Sequence, residues 1–85
     1  MKNEHTMRGT LQVIERMNNS TSGNPRYRVA IVSALGDVSV FVTRPDDAFN
    51  YEVTNFEGHI VDATVGTFRN KDTITNVTYD FGVAL

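Results

Sequence analysis

Cysteine is absent from the 85 residues. That absence removes a disulfide framework, a thiolate metal site and a cysteine nucleophile together, and it fits a reducing compartment. Histidine occurs only twice, as His5 near the N-terminus and His59 at the start of a strand-like run. Neither has the partners that a metal or a nucleophile would need. Serine never falls in a nucleophile-elbow pattern, and the glycines are scattered singly, so no loop cradles phosphates. The adjacent Asp46 and Asp47 stand at a helix start, where carboxylates complement the dipole more readily than they hold a metal. The expectation is a non-enzymatic protein with no catalytic residue, no cofactor and no metal.

Long apolar runs are also missing. Nothing approaches the roughly 18 consecutive apolar residues of a membrane span, and the polar first residues have no apolar core of a signal peptide. A cytoplasmic protein with no membrane partner is the expectation. Basic charge is in short supply as well: 8 Lys and Arg against 10 Asp and Glu give a net charge of −2. That balance argues against nucleic-acid binding through bulk electrostatics. The charges are unevenly spread, however. Arg16, Arg26, Arg28 and Arg44 are opposed only by Asp37, whereas Asp46, Asp47, Glu52, Glu57 and Asp62 follow with no cation among them. This pattern predicts one basic and one acidic side.

What the chain does contain is a series of β-type runs. Residues 1–8 read as a flexible tail and 9–85 as one small domain, which at this size buries only about 60–65% of its unfolded surface. Strand-like runs cover residues 9–17, 26–33, 37–43, 59–67 and 73–81, with a helix-compatible interval between the third and fourth. Pro45 suits a first helical position there, and Phe49 and Val53 share a face four residues apart. The order predicts an all-β fold, a small five-stranded barrel. An OB-like barrel is favoured by the position of the short helix, with an SH3-like barrel as the alternative. Ile14 breaks the first strand's alternation, which predicts either a bulge or a bend that buries both faces, and Ile74 breaks the last strand's alternation and predicts a bulge. Asn70-Lys71-Asp72 reads as the last hairpin turn. The apolar 81–85 run would tuck into the core or meet a second subunit, so a homodimer is possible.

With Leu35-Gly36 as a two-residue turn, Val29 would face Val42 and Ile31 would face Val40 across an apolar inner face. Arg28, Thr43, Ala30 and Phe41 would then lie outside. The candidate binding face is therefore Arg16, Arg26, Arg28, Phe41, Thr43 and Arg44, next to the polar loop at 18–25. Guanidinium groups beside an aromatic on a barrel sheet suit a protein partner, since Arg and aromatic residues are enriched at interface hot spots. They also suit the stacking and clamping of a single strand of nucleic acid. The acidic balance places an interaction module for a protein partner first, for example a phage-encoded factor acting on a host protein. OB-fold binding of single-stranded nucleic acid is the alternative.

The run Gly23-Asn24-Pro25-Arg26-Tyr27-Arg28-Val29, with Thr43, Asp46-Asp47, Tyr51-Glu52-Val53 and Asn55 downstream, resembles small uncharacterised actinobacterial and actinobacteriophage proteins with a Gly-Asn-Pro-Arg-Tyr hairpin entry. The resemblance covers roughly residues 9–80. It implies an origin and a fold but no activity.

Overall fold

The computed structural model describes residues 4–45 and 47–79. Asp46 and the apolar 81–85 run lie outside the described residues. Five strands, β1 (His5–Met17), β2 (Arg26–Val32), β3 (Val38–Thr43), β4 (Ile60–Phe68) and β5 (Lys71–Tyr79), close into a barrel in the order β1-β2-β3-β5-β4. All pairings are antiparallel except β3 with β5, which is parallel. The expected small five-stranded barrel is what the chain forms. Between β3 and β4 lie two 3₁₀ turns, Ala48–Tyr51 and Val53–Phe56, instead of an α-helix. The first is capped by Asp47, whose carboxylate accepts the Phe49 N–H at 3.0 Å. Pro45 therefore sits in the preceding turn and not at a helix start.

The stretch expected to be a tail is strand from His5 onward. His5 to Thr10 pair with β4, and Thr10 to Met17 pair with β2, so β1 serves both halves of the barrel. Gly9 sits where the two pairings meet. A Cβ there would lie 2.5 Å from the Val32 carbonyl oxygen, a contact only glycine avoids. The β1 bulge falls between Val13 and Glu15, and the extra residue, Ile14, turns outward at 50% exposure. A second irregularity, between Thr64 and Val65, places Thr75 as the extra residue on β5 and lets Ile74 and Val77 both reach the core. Both expected bulges are present.

The β2–β3 register differs from expectation by one residue. Ser33 N–H bonds to the Asp37 carbonyl at 2.9 Å and Gly36 N–H to the Ser33 carbonyl at 2.9 Å, which makes a three-residue loop of Ala34, Leu35 and Gly36. Gly36 at φ 89° supplies the left-handed residue that such loops require. The pairs become Val29↔Phe41 and Ala30↔Val40. A slip of one residue exchanges the two faces of β3. Phe41 and Thr43 face the core at 7% and 0% exposure, while Val38 and Val40 stand outside at 62% and 47%.

Leu11, Val29, Ile31, Val61, Val65 and Ile74 fill the barrel, and Phe49 and Val53 plug one end as their spacing predicts. Phe56 extends the plug, with its ring 6.4 Å from Phe49 and 4.8 Å from Tyr79. Where β1 leaves β4, its backbone is satisfied by the segment after the second 3₁₀ turn. Leu11 exchanges hydrogen bonds with His59 and Gly58, and the Glu57 carboxylate accepts from Val13 N–H at 3.0 Å.

Candidate functional site

The connection at 18–25 is a folded loop. Ser20 N–H bonds to the Asn24 carbonyl and Gly23 N–H to the Ser20 carbonyl, both at 2.8 Å, with Gly23 at φ 85°. Ser20 Oγ accepts the Asn24 N–H at 3.1 Å, and the Tyr51 hydroxyl donates to Asn24 Oδ1, tying the loop to the first 3₁₀ turn. These bonds hold Asn19, Ser20 and Thr21 against the start of β2.

Opposite them, the chain leaving β3 is held by Asn50. Its side chain is 2% exposed and donates to the Arg44 carbonyl at 2.9 Å and the Asp47 carbonyl at 3.1 Å. The third wall is the β4–β5 hairpin. Phe68 pairs with Lys71, so the turn is Arg69-Asn70, with both residues at positive φ (51° and 63°). Lys71 and Asp72, expected in the turn, belong to β5.

Together these elements border three adjoining cavities of about 420, 230 and 270 Å³. The first is lined by Asn19, Ser20, Thr21, Arg26, Arg44, Pro45 and Arg69. The second shares Arg26, Pro45 and Arg69 with the first and adds Val42, Thr43, Lys71 and Thr73. The third shares Val42 and Lys71 with the second, and is completed by Met17, Arg28, Val40, Phe41 and Asp72. The shared residues make one groove, running from the 18–25 loop across β2 and β3. Five of the eight Lys and Arg residues, Arg26, Arg28, Arg44, Arg69 and Lys71, line it, and Asp72 is the one carboxylate among the described lining residues.

Of the six residues expected on the binding face, the structure brings Arg26, Arg28 and Arg44 into this groove. Arg28 is paired there with the Glu15 carboxylate. Arg16 stands beside the groove, its guanidinium donating to Asn19 Oδ1 at 2.8 Å. Phe41 and Thr43 also line the groove, at its third and second cavities, but as buried residues and not as an exposed face. The register change turns them inward, and Thr43 Oγ1 accepts the Tyr27 N–H at 2.9 Å. Phe41 reaches the groove only with the fringe of a ring that is 7% exposed. No aromatic platform replaces it among the described lining residues.

Two groups of residues escaped the sequence reading. Arg69 and Lys71 reach the groove because β5 lies beside β3, a neighbour relation that no local pattern encodes. Val40 and Val42 form an apolar floor, where alternation alone predicts core positions. Among the described residues no cluster of His, Asp and Glu could hold a metal ion, and no helix is long and apolar enough to cross a membrane. No family model matches the chain, and neither a curated protein nor a solved structure matches it.

Proposed function

We propose that this protein binds single-stranded nucleic acid along the β2–β3 face, between the 18–25 loop and the Arg69-Asn70 turn. The observation that carries the reading is the single groove lined by Arg26, Arg28, Arg44, Arg69 and Lys71. The barrel's organisation supports it. OB-type barrels are five-stranded and partly open, and they bind oligonucleotides on the strand 2–3 face between loops 1–2 and 4–5. Here β3 and β5 close through only two pairs, Val42↔Thr73 and Thr43↔Ile74, and the cations occupy those three places.

The net charge of −2 does not oppose this reading. Exposed charges act over a Debye length of about 8 Å at physiological salt, so a strand in the groove senses the lining cations more than the acidic residues elsewhere. Without an aromatic platform, binding rests on phosphate contacts and on guanidinium planes over bases. The expected affinity is salt-steep and weakly sequence-selective.

Fluorescence anisotropy with labelled single-stranded DNA and RNA, at low and physiological salt, tests the proposal. Each phosphate neutralised by a groove cation would contribute about −0.7 to the slope of log K against log salt, so Lys71→Ala should reduce its magnitude by about 0.7. Absence of binding even at low salt removes the reading. A protein partner with an acidic, partly apolar surface is then the reading that remains, favoured by the exposed Leu35, Val38 and Val40 on the β2–β3 hairpin (91%, 62% and 47%).

A further inference from the structure

Asp72 is the one carboxylate among the groove's described lining residues, and it belongs to the third cavity alone. It is exposed, and its carboxylate accepts no hydrogen bond and pairs with no cation among the described residues. A phosphate passing here would meet a like charge, so this part of the groove suits a different part of a strand. The other lining residues point the same way. Met17, Val40 and Val42 give the cavity apolar walls, Arg28 is held by Glu15, and Lys71 stands next to Asp72 on β5. A base has the matching chemistry, with apolar faces and a polar edge. The volume of about 270 Å³ suits one base, because drug-sized ligands take cavities of about 300 Å³ and more.

The fold makes the opening and fixes the carboxylate in it. β3 and β5 pair only at Val42↔Thr73 and Thr43↔Ile74, so Val40 and Phe41 are not bonded to Lys71 and Asp72, and the cavity lies between them. On its other side Asp72 pairs with Thr67 of β4, so it stands on a strand and not on a loop. An ionised carboxylate only accepts, and its two oxygens take two adjacent N–H groups at once. Guanine alone among the common bases presents two such donors side by side, N1–H and the N2 amino group. Adenine and cytosine set one amino group beside a ring acceptor, which the carboxylate repels. Thymine and uracil offer one imino group between two carbonyls. The remaining atom on guanine's edge, O6, is an acceptor that suits the neighbouring Lys71 ammonium.

Resting on the strand-binding reading above, we infer that the third cavity takes a guanine base, with Asp72 accepting from N1–H and the N2 amino group. This adds a preference at one position to binding that is otherwise weakly selective. The test measures anisotropy at physiological salt with a labelled oligothymidine and with versions carrying one central guanine, adenine, cytosine or hypoxanthine. The guanine form should bind at least about fivefold more tightly than oligothymidine. Hypoxanthine keeps N1–H and lacks the amino group, so it should lose most of that advantage. Asp72→Asn removes the charge at an exposed position and nearly keeps the shape. The variant should bind oligothymidine more tightly than the parent does, while the advantage of guanine falls below about twofold. A preference of the parent for another base, or equal binding of all five oligonucleotides, overturns the guanine site and leaves strand binding standing. A variant that gains affinity equally for all five also overturns it, since Asp72 would then act only as a repelling charge. Failure of the parent to bind any of them at low salt overturns the strand reading itself.

Discussion

Thr43 shows how one side chain's role depends on the face its strand presents. Its hydroxyl lies in the core at 0% exposure and accepts the Tyr27 N–H at 2.9 Å, tying β3 to the start of β2 just below Arg26 and Arg44. Thr43→Val keeps the shape and removes the acceptor. The Tyr27 N–H is then left without that partner, at a cost of about 1–3 kcal/mol. In a domain of this size each kcal/mol lowers Tm by about 4–8 °C. A thermal melt of Thr43→Val should therefore show a fall of about 4–24 °C, while oligonucleotide affinity of the folded protein stays within about twofold of the parent. A large loss of affinity without loss of Tm would return Thr43 to the binding face. Arg26 makes the opposite case. Its Nε has no hydrogen-bond partner among the described residues, and it lines the groove, so it contributes less to the fold than to whatever occupies the groove.

At the scale of elements, the strand order, both bulges and the barrel-end plug were legible in the sequence, because each is written in local spacing: Ile14 and Ile74 out of phase, Phe49 and Val53 four apart. The face of β3 was not. Val38, Val40 and Val42 alternate with Ser39, Phe41 and Thr43, and apolar content alone favours the valines as core. The deciding feature is the loop. Gly36 at φ 89° ends a three-residue connection, where a two-residue reading uses the same glycine one position differently. The valines placed outside then become a groove floor, which is why an apolar set is found there. The β4–β5 turn gives a prediction of its own. Arg69 and Asn70 both adopt left-handed φ, and a non-glycine residue outside Asn or Asp pays about 1–2 kcal/mol for it. Arg69→Asn should recover part of this, raising stability in urea denaturation by about 0.5–1 kcal/mol while weakening phosphate binding. A variant that lost stability would show that the Arg69 side chain is part of the fold's support and not held in place at the fold's expense.

For the whole molecule, the question is whether binding follows the total charge or its distribution. The protein measures 40 × 26 × 19 Å along its principal axes, several Debye lengths across at physiological salt. A net charge of −2 is therefore a poor guide to the field inside one groove. Two substitutions separate the possibilities. Arg8→Ala and Arg26→Ala each remove one positive charge and change the net charge from −2 to −3, since −2 − 1 = −3. Arg8 lies on β1 against β4, paired with Asp62 at 3.0 Å, and lines a different cavity with Val32 and Ile60. Its side chain is 64% exposed, so the ion pair contributes about 0–1 kcal/mol and the variant should fold. If the groove is the site, Arg8→Ala leaves both affinity and the salt slope of oligonucleotide binding unchanged at physiological salt, whereas Arg26→Ala lowers affinity and reduces the slope by about 0.7. Equal effects from the two variants would mean that the strand responds to the protein's overall charge and has no fixed place on it. The β2–β3 groove would then be a solvated surface, and the exposed hairpin of Leu35, Val38 and Val40 would become the face to test against protein partners.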